Sequence, residues 1–250
     1  MAAASRLILL TGAAGFVGRQ VLRALGERGC RVRSVVREGK QERFAHDDAI
    51  ETIVASRDIF AESAAWWARA CGGVDTVIHA AWYAESGQYL QSPKNQECLS
   101  GTLRLAEGAV QAKVRRFVGI GTCFEYDLDA GRLSIKTPLK PSTPYAQAKV
   151  DAFNALSVAL PRHGVAFAWC RLFYLYGEGE DSRRFAVRIE HAVAALADEA
   201  STDWYMARLR SHHDATPTLA GPEGSSWRRA WALGDRSRKR RRQTREWPKL

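Results

Sequence analysis

The chain has 250 residues, of which 46% are hydrophobic, so it can bury a sizeable core and disorder is not expected over its whole length. No apolar run is long enough to cross a bilayer, and the apolar stretch after Arg6 is too short for a secretory signal, which predicts a cytoplasmic protein without membrane contact. Of the net charge of +10, residues 201–250 carry +7, so the overall basicity does not by itself indicate a nucleic-acid-binding protein.

Strands and helices are predicted to alternate along the chain. Short apolar runs indicate strands at 7–11, 32–36, 52–54, 76–79, 116–120 and 166–172. Runs with helical spacing indicate helices at 17–28, 60–71, 95–112 and 144–160. This alternation is typical of an α/β fold, and we expect a Rossmann-type doubly wound parallel sheet with helices on both faces.

A glycine-rich turn joins the first predicted strand to the first helix. Gly12, Gly15 and Gly18 follow the pattern G-x-x-G-x-x-G, and Phe16 and Val17 lie between the last two glycines, where the helix begins. Glycine lets a backbone turn tightly and approach a pyrophosphate, while a helix N-terminus offers free N–H groups to the phosphates. The strand–turn–helix context therefore predicts a dinucleotide site made of these five residues.

Two charged residues bear on which dinucleotide is bound. Arg37 ends the second strand where an acidic residue would contact the ribose of NAD, and a guanidinium there can pair with the 2′-phosphate of NADP. Arg37 thus favours NADP, with NAD as the alternative if the side chain lies over the adenine or in solvent. Asp58, after the third strand, is predicted either to accept a hydrogen bond from the adenine amino group or to cap the next helix.

Tyr145 and Lys149 are the predicted catalytic pair. They stand four residues apart after Thr143 and Pro144, which mark a helix start, so they share one helix face. An ammonium beside a phenol is expected to lower the phenol's pKa and allow proton transfer near neutral pH. Thr122, just after the fifth strand, can bond the same substrate oxygen. A Tyr-x-x-x-Lys spacing alone is also common on exposed amphipathic helices.

The remaining chemistry-bearing residues are predicted to be structural. The five cysteines show neither CxxC nor metal-ligand spacing, so we expect reduced thiols and no metal site. His79, at the end of an apolar strand, is expected to be a structural residue. Trp82 and Tyr83 are expected to pack in the fold, although their position just past a strand end would also allow them to line a substrate.

Taken together, these motifs resemble the extended short-chain dehydrogenase/reductase family and its nucleotide-sugar epimerases and dehydratases. The resemblance covers residues 6 to about 185 and is carried by residues 11–18, 77–81, 95, 122, 145–149 and 171–177. It implies a nicotinamide cofactor, a nucleoside-diphosphate sugar as substrate, and hydride transfer at sugar C4 with Tyr145 as acid and base. It also implies that Ala80 and Ala81 line the cofactor, that Lys149 binds the nicotinamide ribose, that Asn95 supports the active site, and that a homodimer is possible.

The residues after Thr122 narrow the choice among the reactions known in the family. The family's 4,6-dehydratases carry an Asp-Glu pair there, whereas this chain has Cys123 and Phe124. The family's 3,5-epimerase/reductases carry a cysteine two residues before the position of Tyr126, where this chain has Phe124. Two activities of the family therefore remain as alternatives, a 4-epimerase and a 4-keto-sugar reductase. Cys123 is expected to be a packed thiol.

The C-terminal region does not resemble the family's substrate lobe. We expect an NAD(P)-binding Rossmann domain at 1–185 and, at 186–250, a truncated or aberrant lobe remnant with a basic, disordered tail. An altered reading frame near 185–200 is favoured over a functional basic tail or a shortened lobe, because residues 201–250 hold ten arginines and four of the eight tryptophans. The alternative functions are therefore a catalytically incomplete cofactor-binding protein and, through the tail, a nucleic-acid binder, although nucleic acid is not the expected partner.

Overall fold

The computed structural model describes residues 6–44, 47–175, 177 and 180. Within these residues, six parallel strands form one sheet: β1 (Leu7–Thr11), β2 (Arg31–Arg37), β3 (Ile50–Ser56), β4 (Thr76–His79), β5 (Arg116–Thr122) and β6 (Ala166–Leu172). Their order is β3-β2-β1-β4-β5-β6, so the winding direction reverses between β1 and β4. The predicted Rossmann-type sheet is confirmed, while the boundary near 185 and the basic tail lie outside the described residues.

Four helices cover the two faces of this sheet: α1 (Phe16–Gly26), α2 (Ala64–Ala70), α3 (Lys94–Gln111) and α4 (Pro144–Arg162). Successive strand residues point to opposite faces, and β1 shows where each helix packs. Ile8 and Leu10 belong to a core cluster with Leu22 and Leu25 of α1. Leu9 belongs to the cluster on the other face, which contains residues of the other three helices: Trp67, Leu105 and Leu156. None of the described helices is long and apolar enough to span a membrane.

Short polar side chains set the starts of α2 and α4. The Thr143 hydroxyl accepts a hydrogen bond from the Ala146 N–H (3.2 Å), which confirms the predicted start of α4. Helix α2 begins at Ala64, later than predicted, because the Ser63 hydroxyl caps it. Asp58 instead accepts from the Phe60 N–H (2.9 Å) within a preceding turn, so the expectation that it caps the next helix is wrong.

His79, the last residue of β4, is a buried structural residue, as predicted. The Thr102 hydroxyl donates to the Cys98 carbonyl (2.7 Å), so it accepts from His79 Nε2 (2.9 Å). His79 Nδ1 is then left to accept from the Thr11 hydroxyl (2.8 Å). Burial lowers the pKa of His79 to about 3, so the ring is neutral in the folded protein.

This neutral histidine predicts a loss of stability in acid. Below its unfolded pKa of about 6.5, the unfolded chain takes up a proton that the folded protein excludes. The free energy of unfolding should therefore fall by up to ~1.4 kcal/mol per pH unit between about 6.5 and the folded value of about 3, and be insensitive to His79 above that window. Urea unfolding at pH 7, 6 and 5 measures this slope. His79→Gln should reduce it, and equal slopes in the two proteins would contradict the assignment.

Candidate active site

The glycine-rich turn lies at the carboxyl edge of β1 and packs directly against the end of β4. Gly12 has φ +76°, and a Cβ there would lie 2.7 Å from the Ala81 nitrogen. A Cβ on Gly18 would overlap the Gly12 carbonyl oxygen. These two glycines are therefore required by the backbone packing of the turn itself.

Gly15 differs, because the fold does not require a glycine there. Its φ of −79° and ψ of 168° suit any residue, and an added Cβ would meet only the Gly12 oxygen, at 3.3 Å. Gly15 is exposed and is the N-cap of α1, which has neither a side-chain cap nor an acidic residue in its first turn. The open space over Gly15 and the uncapped helix start at Phe16 and Val17 fit an anionic group such as a pyrophosphate.

Arg37 and Asp58 lie at the same sheet edge as the glycine turn. Arg37 ends β2 in register with Ser56 at the end of β3, and its side chain is exposed. The neighbouring Glu38 pairs with Arg57 (Oε2 to Nε, 3.2 Å) rather than with Arg37. Asp58 is exposed and uses one carboxylate oxygen in its own turn. Both side chains are placed where an adenosine moiety could be contacted.

Tyr145, Lys149 and Thr122 come together at the carboxyl end of β5. Tyr145 lies in the first turn of α4, held by a hydrogen bond from its N–H to the Leu90 carbonyl (3.1 Å). Lys149 follows one turn later, with its Nζ 6.0 Å from the centroid of the Tyr145 ring. The Thr122 side chain lies close enough to the Tyr145 phenol to act on its pKa. The three residues predicted from their spacing therefore form one cluster.

The predicted direction of the Tyr145 pKa is wrong. Burial raises the pKa of this phenol, the neighbouring Tyr89 adds to the rise, and the Thr122 side chain only partly opposes it. Lys149, whose Nζ donates to the Ile120 carbonyl (2.6 Å), does not offset this rise. Tyr145 is consequently a neutral proton donor at neutral pH.

Lys149 is itself perturbed by its surroundings. Its side chain is only 4% exposed, and burial lowers its pKa to about 7, against the opposing charge of Glu125. The Nζ lies 3.7 Å from the centroid of the Trp82 ring, which gives the ammonium a cation–π partner. Trp82 also contacts the Tyr145 ring edge-on (centroids 6.4 Å apart), so it packs on both members of the catalytic pair.

Asn95 reaches this cluster only through other residues. Its Oδ1 accepts from the Trp82 indole N–H (2.8 Å), and its Nδ2 donates to the carbonyls of Tyr89 (2.7 Å) and Ser92 (2.9 Å). The ring of Tyr89 in turn packs perpendicular to that of Tyr145, at 4.9 Å. Asn95 thus anchors the segment that carries the two rings flanking Tyr145.

Ala80 and Ala81 connect the glycine turn to the Tyr145 cluster. The Ala80 N–H donates to the Thr11 carbonyl (3.2 Å), and the Ala81 N–H donates to the Thr11 hydroxyl (3.3 Å), which fixes this segment beside Gly12. Trp82 follows at once and reaches Lys149. The predicted phosphate turn and the predicted catalytic pair therefore lie along one continuous edge, at the point where the sheet reverses its winding.

Glu125 is part of this site and was not predicted. Its carboxylate is fully buried and accepts from the Thr122 N–H (2.8 Å), the Trp169 indole N–H (3.0 Å) and the Arg171 Nε (2.6 Å). The sequence carried one signal for it, since Thr122-x-x-Glu125 is a capping box, and that box is formed. The cysteines in the described part of the chain form no disulfide. Cys123, between Thr122 and Glu125, is a buried thiol whose pKa is raised by burial, as expected for a packed cysteine. All five cysteines are free thiols, and the described part of the chain holds no group of three metal-binding side chains.

Comparisons with known proteins show relatives in sequence and in fold. In sequence, the chain is 24% identical over 172 residues to dTDP-6-deoxy-L-talose 4-dehydrogenase (NAD(+)) of Aggregatibacter actinomycetemcomitans, covering 68% of this chain and 62% of that relative. In structure, it is similar to UDP-glucuronic acid 4-epimerase from Bacillus cereus, solved with UDP-glucuronic acid and NAD, with a TM-score of 0.63, 20% identity and coverage of 75% and 63%. It is also similar to MoeE5, solved with UDP-glucuronic acid and NAD, with a TM-score of 0.58, 28% identity and coverage of 74% and 60%. The chain thus spans less than two thirds of the length of these proteins.

The family model of the NAD dependent epimerase/dehydratase family matches residues 8–210. The match includes the glycine turn, the Tyr145 cluster and all six strands except the first residue of β1. It continues past residue 185, where the sequence pattern predicts the resemblance to end, so the family likeness extends further than expected. The chain belongs to the NAD-dependent epimerase/dehydratase family.

Proposed function

We propose that this chain carries out hydride transfer at C4 of the sugar in a nucleoside-diphosphate sugar, as a 4-keto-sugar reductase that uses NADP or NAD. The observation that carries this proposal is the contiguity of the uncapped glycine turn with the Tyr145–Lys149–Thr122 cluster along one sheet edge. When bound, the nicotinamide supplies the hydride for the sugar carbon or accepts it.

The glycine turn and the end of β4 are proposed to hold the dinucleotide. The open space over Gly15 and the N–H groups at the start of α1 would bind the pyrophosphate. Ala80 and Ala81, fixed beside Gly12, would form the wall next to it. Lys149 would bind the nicotinamide ribose, since its Nζ uses only one of three N–H donors on the Ile120 carbonyl and can offer another to a ribose hydroxyl.

Tyr145 is proposed to donate the proton that accompanies reduction. A phenol is protonated at neutral pH, and burial, which raises the pKa of Tyr145, keeps it so; it can give its proton to a keto oxygen as that oxygen gains negative charge. The Thr122 hydroxyl, beside the phenol, would hold the same oxygen. A neutral phenol suits reduction better than the removal of a proton from a sugar alcohol, which favours the reductase over the epimerase. The 4-dehydrogenase among the relatives is named for the same sugar position.

Turnover of a keto sugar nucleotide tests this proposal. The full chain, incubated with NADPH or NADH and a dTDP-4-keto-6-deoxy sugar, is expected to consume the reduced cofactor and form the 4-hydroxy sugar. Interconversion of 4-hydroxy epimers without net use of cofactor would indicate the epimerase instead. Binding of cofactor without either reaction would indicate a catalytically incomplete cofactor-binding protein.

Arg37 is proposed to select NADP through its 2′-phosphate. Arg37→Ala should weaken NADP binding by about tenfold or more, since a charge-assisted hydrogen bond contributes roughly 1.5–3 kcal/mol, and should leave NAD binding unchanged. Arg57→Ala is the matched control, because Arg57 is also an exposed arginine and directly follows the end of the adjacent strand, where it pairs with Glu38. Calorimetric titration with both cofactors gives the four affinities. Equal loss for NADP and NAD, or no loss for either, would exclude this role.

A further inference from the structure

The carboxylate of Glu125 connects β5 to β6 directly behind the Tyr145 cluster. It receives hydrogen bonds from the Thr122 backbone on β5 and from two side chains of β6, Trp169 and Arg171. The Arg171 side chain is 10% exposed, so this is a buried ion pair. Gly121 makes room for it, because a Cβ there would overlap both Glu125 Oε1 and the Trp169 indole nitrogen.

A buried ion pair is an inefficient way to stabilise a sheet, since apolar residues of similar volume often stabilise a protein as well or better. Unlike apolar packing, the Glu125 carboxylate provides an oriented hydrogen-bond acceptor and a fixed negative charge. The acceptor holds the Thr122 backbone, and the Thr122 side chain lies beside the Tyr145 phenol. The same carboxylate accepts from Trp169, whose ring centroid is 5.8 Å from Lys149 Nζ, so the negative charge lies one indole ring away from the ammonium.

We propose that Glu125 is a positioning residue for hydride transfer, which fixes Thr122 against Tyr145 and holds a negative charge near the Lys149 ammonium. The expected effect of Glu125 on kcat rests on the proposed function, whereas its expected effect on the pKa of Lys149 does not. Among the residues that the structure describes, the other titratable groups that face Lys149 are Cys98 on α3, His79 at the end of β4 and Tyr145 on its own helix. Of these four groups, only Glu125 is a carboxylate.

Glu125→Gln tests the charge. Without the carboxylate, the Lys149 ammonium loses an attractive negative charge. The Arg171 cation also loses its partner, so its positive charge is no longer neutralised. Both changes disfavour the protonated form of Lys149. The pKa of Lys149, which is about 7 in the wild-type chain, should therefore fall in the variant. Titration of ¹³C-labelled lysines by NMR measures it without turnover, with the resonance assigned through Lys149→Met. Asp75→Asn is the matched control: Asp75 is a largely buried partner of Arg115 and Arg116 at the opposite sheet edge, and its loss should not shift Lys149.

Glu125→Asp tests the position and does not depend on whether the neutral variant folds. Aspartate keeps the charge opposite Arg171, but its side chain is one methylene shorter and cannot reach both Thr122 and β6. We expect kcat to fall by about 100-fold, the effect of roughly 1 Å of misplacement, with KM and cofactor affinity within about twofold of wild type and Lys149 still titrating near its wild-type value.

A wild-type kcat for Glu125→Asp, or a Glu125→Gln variant that folds and leaves the Lys149 titration unchanged, would overturn the inference. A wild-type chain that turns over no sugar nucleotide would refute the proposed function instead. In that case the Lys149 titration still decides the role of Glu125.

Discussion

Replacing Tyr145 with phenylalanine is expected to reduce the rate of keto-sugar reduction by about 10²–10⁴-fold, the usual contribution of a positioned acid. The change removes only the hydroxyl group. The ring packing with Tyr89 (4.9 Å) and Trp82 (6.4 Å) is kept, so the fold and the cofactor affinity should be preserved. Steady-state consumption of NADPH, together with calorimetric cofactor binding, separates the two effects.

Tyr89→Phe is the control for this experiment. Tyr89 lies against Tyr145 and its replacement also removes a single hydroxyl from the same aromatic cluster. It should change the rate by less than about tenfold, because no proton transfer depends on it. If Tyr145→Phe kept most of the wild-type rate, or if both variants lost activity equally, Tyr145 would not be the acid.

Gly15→Ala is expected to weaken cofactor binding by about 100-fold while leaving the protein folded. The added methyl group meets one atom, the Gly12 oxygen at 3.3 Å, a tight contact that a shift of a few tenths of an ångström relieves. It does occupy the space in which the pyrophosphate is proposed to lie, which would displace the phosphates from the helix N-terminus. Loss of one charge-assisted hydrogen bond, which contributes roughly 1.5–3 kcal/mol, gives an effect of up to this size.

The control is Gly72→Ala, because a Cβ on Gly72 would likewise meet only a carbonyl oxygen, that of Arg69 at 3.2 Å. It should alter neither the melting temperature nor cofactor affinity. Gly12 and Gly18 are unsuitable for this test, since alanine at either position disturbs the fold as well as the site. Wild-type affinity in Gly15→Ala would mean that no pyrophosphate is held at this turn.

The parts of the site that were predictable have local causes. The glycine turn could be recognised because a strand, three spaced glycines and a helix start lie within a dozen residues. The start of α4 could be recognised because Thr143 and Pro144 are adjacent, and the helical spacing then places Tyr145 and Lys149 on one face. Thr122 could be placed because it follows an apolar strand of a parallel sheet.

The features that were missed depend on contacts between distant segments. The raised pKa of Tyr145 comes from its burial, to which Trp82 and Tyr89 contribute from a segment more than 50 residues earlier. Glu125 acquires its role from Trp169 and Arg171, which reach it only because β5 and β6 pair. Sequence spacing reports neither burial nor strand pairing, so the direction of a pKa and the partner of a buried carboxylate could not be obtained from it.

The most direct test of the central claim is a crystal structure of the full chain with NADP or NAD bound. We expect the pyrophosphate to lie over Gly15 at the start of α1, the nicotinamide ring to lie beside Tyr145, and Lys149 Nζ to contact the adjacent ribose. A dinucleotide bound away from the glycine turn, or one whose nicotinamide end lies remote from Tyr145 and Lys149, would contradict the proposed function.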